Sequence, residues 1–174
     1  MTQKTSLPLI PRLLDRASID KAYALVRGIM PSITRERWTE FAKPYFASRS
    51  SKWPRGLMTI QNNKGYILGL FGFEVRDELR SRRALIINNI IVPCIPGHDL
   101  IWSVVISTAE TLAAMNGCHS IHIKKLVDDL DAPGGHGEWL DASLTDAGYN
   151  IEKVHVFKRI SPSNTSLAGP LKSI

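Results

Sequence analysis

The chain has 174 residues, a formal net charge of +6 and an apolar share of 44%, typical of a globular protein, which excludes a domain too small to build its own core. Its two cysteines, Cys94 and Cys118, make no disulfide framework and fit a reducing, cytoplasmic setting. The polar start and the prolines that break the first apolar stretch leave no signal peptide or membrane span, while the basic balance favours acidic partners without choosing among phosphorylated cofactors, nucleic acid and proteins.

In chain order, residues 7–14 are apolar, punctuated by Pro8 and Pro11 and closed by Asp15. They predict a short edge strand, where a missing N–H is tolerated. Ser18 then precedes apolar residues at Ala22, Leu25, Val26 and Ile29, which predicts a helix capped by Ser18 and ended by Pro31. A second helix is predicted after Ser32 or Thr34, with Trp38, Phe41, Ala42, Tyr45 and Phe46 on one face and a break near Pro44. Residues 48–56 read as a polar loop. Strands over 57–61 and 65–75 are joined by Asn62, Asn63, Lys64 and Gly65, residues that accept the positive φ of a tight hairpin.

Residues 76–83 form a densely charged connection with four arginines. It reads as a solvated hairpin tip, or as a patch for an acidic substrate, a nucleic acid or a partner chain. No interleaved aromatics or recognised motif support the nucleic acid. Residues 84–92 are apolar apart from Asn88 and Asn89, the pattern of a central strand buried on both faces. A turn from Pro93 to Gly97 leads to Asp99, a candidate cap for a long helix over 100–116 that Gly117 stops. Residues 120–126 alternate as a strand, 128–137 are a Gly/Pro/Asp loop, 137–147 a short helix closed by Gly148, and 151–160 a final strand. The tail from Ser161 is rich in Ser, Pro and Gly and is expected to be mobile. His119, His122 and His136 match no metal-site spacing and read as surface or hydrogen-bonded histidines.

The whole chain, 1–174, therefore reads as one α/β domain: strand, two helices, three antiparallel strands, helix, strand, helix, strand. The helix over 100–116 would cross between neighbouring parallel strands. This order, the strand Ile87-Asn88-Asn89-Ile90-Ile91-Val92-Pro93 running into a glycine turn and long helix, and the late Gly148-Tyr149 pair together resemble the GNAT superfamily of N-acetyltransferases. The likeness spans about residues 9–160. It implies a mixed, mostly antiparallel sheet flanked by helices.

The resemblance further implies an acetyl-CoA donor and an unidentified amine acceptor, with a homodimer as a compatible assembly. It implies a pyrophosphate held at Gly97, His98, Asp99, Leu100 and Ile101, where a helix N-terminus favours anions. A pantetheine arm would pair with the backbone of Ile90, Ile91 and Val92. Departures from the family pattern are equally specific. Cys94 and Asp99 replace a basic or amide residue and a small residue of the loop. Asp99 either caps the helix or faces the phosphates. Asn88 and Asn89 stand where a carboxylate base often does, so one of them would orient a water; alternatively each satisfies neighbouring backbone or a bulge. Glu74 is the nearest plausible carboxylate, or is simply solvated. Leu144 stands in place of the usual acid, a tyrosine. Trp53 is the aromatic expected to line the acceptor pocket. The implied reaction is acetyl transfer to a primary amine by direct attack; the alternative is a non-catalytic domain of this fold that binds a ligand or a protein.

Overall fold

The computed structural model describes residues 8–46, 52, 54–79, 82–124 and 144–150. Trp53, the loop over 128–137, the start of the short helix, the final strand and the tail lie outside the described residues. The described strands are β1 (Ile10–Leu13), β2 (Arg55–Gln61), β3 (Ile67–Glu78), β4 (Arg82–Ile91) and β5 (Ser120–Ile123), and the helices are α1 (Ile19–Ile29), α2 (Arg35–Phe46) and α3 (His98–Met115). They form one mixed sheet in the order β1-β2-β3-β4-β5. Neighbours are antiparallel except β4 and β5, which run parallel on either side of α3. β1 lies at the edge of the described sheet, where Pro11 is tolerated.

Local chemistry explains most boundaries. A 3-10 turn over Arg16–Ser18 precedes α1, and the carboxylate of Asp15 accepts from the Ser18 N–H at 2.8 Å. Asp15 thus supplies the side-chain cap expected of Ser18, which makes none for α1. Thr34 caps α2 by accepting from the Arg37 N–H at 3.2 Å. The β2–β3 turn is held by Asn62, whose Oδ1 accepts from the N–H groups of Lys64 and Tyr66, each at 3.0 Å. Gly65 takes φ +78 there. At the other end of α3, Gly117 adopts φ +62, its N–H bonds Ala114 O, and Cys118 N–H bonds Ala113 O. That pair of bonds is a Schellman stop.

Four expectations are corrected. α2 does not break at Pro44 but runs through it to Phe46; the proline sits in the last turn, where only one helical bond is lost. β2 begins at Arg55 rather than 57, because Arg55 and Gly56 pair with Glu74 and Phe73. The charged connection over 76–83 is mostly strand. Arg76, Asp77 and Glu78 continue β3, and pair with Ala84, Arg83 and Arg82. Alternating charges on facing strands support such an arm. β4 ends one residue short of Val92.

The sheet has a core on each face. On one, Leu57, Leu70 and Ile91 pack with Leu14, Ala22, Val26, Trp38 and Ala42 from the first part of the chain and α1–α2. The Trp38 indole N–H donates to Ile19 O at 3.0 Å and ties the two helices together. On the other face, a Cβ added to Gly69, which pairs with Ile60, would lie 2.8 Å from Cγ2 of Ile101. Glycine there lets α3 approach the sheet. The segment Leu144–Asn150 belongs to a second compact unit. Residues 144–146 are helical, and Gly148, at φ +84, closes that turn while Tyr149 N–H bonds Leu144 O at 2.9 Å.

Candidate active site

The β3–β4 ladder is regular from Glu78↔Arg82 to Gly72↔Asn88 and resumes at Leu70↔Ile91. Phe71 therefore faces two residues, Asn89 and Ile90, which is a β-bulge. Asn89 takes φ +49, in the left-handed region that asparagine tolerates better than most residues. The bulge breaks the strand's alternation. In a regular strand Asn88 and Asn89 would point to opposite faces; here the Asn89 Nδ2 donates to Asn88 Oδ1 at 2.8 Å.

Residues alternate across a strand, so Gly72, Glu74, Arg76, Asn88 and Arg55 share the face that carries α1 and α2. Gly72 is buried, and a Cβ on it would overlap Asn88 Oδ1 and lie 3.4 Å from the Tyr45 hydroxyl. Glycine thus opens the sheet surface where α2 delivers Tyr45. Burial raises the Tyr45 pKa above its usual value, and the nearby Glu74 carboxylate raises it further. A hydrogen bond with Asn89 and the charges of Arg55 and Arg76 oppose the rise. Glu74 is not at a hairpin end, as its place in the sequence suggested, because β3 continues to Glu78. Its Oε2 pairs with an Arg76 terminal nitrogen at 2.7 Å. The result is a phenol, two amides and a carboxylate converging on one patch of sheet.

The second region is the start of α3. Gly97, at φ +88, is the N-cap, and the helix opens at His98. Asp99 is therefore not the cap; it lies exposed in the first turn, with no side-chain cap bond at this end. His98 N–H is spent on Ile95 O at 3.0 Å and Leu100 N–H on Gly97 O at 3.1 Å. The N–H groups of Gly97 and Asp99 donate to no carbonyl among the described residues. The His98 ring meets Ile95 O through Nδ1 at 2.9 Å. Ile101 turns its side chain into the core, 3% exposed.

β5 pairs with β4 from Ala84↔Ser120 to Ile87↔Ile123, and Lys124 N–H reaches Ile87 O at 2.8 Å. The bulge begins directly after this point, and Ile90 and Ile91 are buried while Val92 is half-buried. An open depression of about 360 Å³ lined by Arg12, Asp15, Ser18 and Gln61 lies at the far end of β2 from Arg55 and gathers no comparable chemistry. Among the described residues no three metal-binding side chains cluster, and no helix is long and apolar enough to cross a membrane.

Sequence reasoning missed two members of the first region. Tyr45 read as core, and Arg55 fell in a supposed loop. The signal was Gly72, inside the strand run Gly69-Leu70-Phe71-Gly72-Phe73. An interior strand glycine marks the close approach of another group.

No family model and no curated protein matches the sequence. Solved structures do match. An aminoglycoside N-acetyltransferase, AAC(6')-Iy, in complex with CoA superposes with a TM-score of 0.66 at 9% identity, over 91% of this chain and 99% of its own. Glucosamine-6-phosphate N-acetyltransferase from Arabidopsis thaliana gives 0.62 at 16%, over 88% and 99%. A transcriptional regulator from Bacillus halodurans gives 0.66 at 15%, over 88% and 100%. The chain has the GNAT fold.

Proposed function

We propose that this GNAT-fold chain is an acetyltransferase that moves an acetyl group from acetyl-CoA to a primary amine by direct attack. The observation that carries the reading is the convergence of Tyr45, Asn88, Asn89 and Glu74 on the bulged stretch of β4, in a fold shared with N-acetyltransferases. The acyl donor would lie along the backbone of Ile90, Ile91 and Val92. Its pyrophosphate would meet the start of α3, where the N–H groups of Gly97 and Asp99 remain available and the helix dipole favours anions.

The amine nitrogen attacks the thioester carbonyl carbon. The C–S bond breaks, CoA leaves as a thiolate, and the amine's proton must be taken up. Asparagine takes no proton at neutral pH, so the amide pair would hold a water that does. Glu74 is the carboxylate that could receive the proton from that water; its bond to Arg76 fixes its position. Water would then return a proton to the thiolate. General-base assistance of this kind supplies roughly 10²–10⁴-fold, and positioning of the two substrates supplies the rest.

The second reading is a ligand-binding domain without catalysis. Asp99 favours it, because an exposed carboxylate in the first turn of α3 repels phosphate. Saturating acetyl-CoA separates the two. A ligand bound only by the native state raises the melting temperature, and release of free CoA thiol in the presence of amines reports transfer. A raised melting temperature with no thiol release across a broad amine panel would leave the binding reading standing. No rise at all would remove the acetyltransferase reading and leave a domain that binds a different ligand or a protein.

A further inference from the structure

Arg55 opens β2 directly opposite Glu74, on the face that carries the candidate site. Cross-strand neighbours of opposite charge ordinarily pair. Here they do not: Glu74 is bonded to Arg76 instead. The Arg55 guanidinium rests 6.0 Å from the centre of the Tyr45 ring. Its Nε is buried and finds no hydrogen-bond partner among the described residues. The residue as a whole is half-exposed, so its terminal nitrogens remain within reach of a ligand. A guanidinium carries five donors in a fixed fork suited to a carboxylate.

The donor's phosphates would lie too far away to pair with Arg55. Arg55 stands level with Glu74 and Ile86, whereas the turn into α3 follows Ile91. At about 3.4 Å per residue the two regions are roughly 15 Å apart along the strand. We infer that Arg55 selects an acceptor bearing a carboxylate in addition to its amine, the carboxylate docking on the guanidinium above Tyr45 and the amine reaching the Asn88–Asn89 pair. This rests on the acetyltransferase reading for the amine and on Arg55 alone for the acid.

The test compares matched acceptors that differ only in the acid: 6-aminohexanoate against hexylamine, and L-lysine against cadaverine. Acetyl transfer is followed by thiol release, and binding by the melting temperature of the acetyl-CoA-loaded protein. The acid-bearing member should be favoured by about tenfold or more in kcat/KM, the worth of one charge-assisted hydrogen bond. Arg55→Met should erase that preference, raising KM for the acids far more than KM for the plain amines. Arg55→Lys, which keeps the charge and guards against a folding defect, should restore part of it. Transfer to both members without discrimination, or a preference that survives in Arg55→Met, overturns the inference and spares the acetyltransferase reading. Stabilisation by the acids that needs Arg55, with no transfer, upholds the anion site and sinks that reading instead. No stabilisation and no transfer with any acid also overturns the inference.

Discussion

The side-chain amide of Asn89 donates to the side-chain oxygen of its sequence neighbour Asn88 at 2.8 Å, a contact that a regular strand forbids. It exists because Asn89 stands at φ +49 and turns the strand inside the bulge. Backbone conformation and side-chain chemistry are coupled at this position, and substitutions can separate them.

Asn89→Ala should lower stability by about 1–2 kcal/mol, the usual cost of a left-handed residue that carries a Cβ. Asn89→Gly should cost less than half of that, since glycine adopts this φ freely. Urea midpoints measure both. Equal losses would mean that the amide contact, and not the bulge, is what stabilises this stretch.

Gly72→Ala places a methyl group against Asn88 Oδ1 and 3.4 Å from the Tyr45 hydroxyl. Overpacking of this kind costs about 1–3 kcal/mol. The expected signature is a lowered melting temperature and loss of acetyl transfer, with acetyl-CoA affinity held close to that of the unaltered protein. A parallel loss of cofactor affinity would move the candidate site away from this face.

The fold was legible where side chains act locally and illegible where pairing is long-range. Asn62 and Gly65 announced their turn, and Gly117 the end of α3, because each meets a backbone need within a few residues. The extension of β3 through Arg76, Asp77 and Glu78 depends on facing residues of β4, and a run of charges hides it. Asp99 looked like a cap because its side chain can be one; Gly97 took the role because the chain enters the helix at φ +88. Asn88 and Asn89 stood out as polar residues in an apolar run, but their meeting depended on a bulge opposite Phe71. Tyr45 and Arg55 belong to elements that only the tertiary fold brings to Gly72 and Glu74.

Asp99→Asn removes the exposed carboxylate from the first turn of α3. If the cofactor's phosphates dock there, affinity for acetyl-CoA should rise about fivefold at low salt, from ~1 kcal/mol of repulsion at 4 Å in water. The gain should shrink at high salt as screening grows. The helix itself should lose about 0.3–1 kcal/mol of dipole stabilisation. Calorimetric titrations at two ionic strengths decide the point; unchanged affinity in both would place the phosphates elsewhere.

The phenol of Tyr45 titrates above the ordinary tyrosine range because burial and the Glu74 carboxylate disfavour its anion. The folded state therefore holds this proton to higher pH than the unfolded chain does. Its contribution to stability is complete below the unfolded value near pH 10 and is lost as pH rises through the folded value. Tyr45→Phe should flatten the alkaline limb of a stability–pH curve measured by denaturant unfolding. An unaltered limb would show that the hydroxyl is as well solvated as in a free chain.

The succession of pairings also orders the assembly of the chain. β2, β3 and β4 follow one another in sequence and in the sheet, whereas β1 meets β2 only after both α1 and α2, and β5 meets β4 only after α3. Closing the connection from Leu13 to Arg55, compared with the tight one from Glu78 to Arg82, costs about 2 kcal/mol more in chain entropy. The three-strand meander is thus the natural folding nucleus, and the parallel pair beside the candidate site forms late. Alanine substitutions in the β3–β4 hairpin should slow refolding, while those in β1 and β5 should mainly hasten unfolding. The reverse pattern would place the nucleus at the parallel pair.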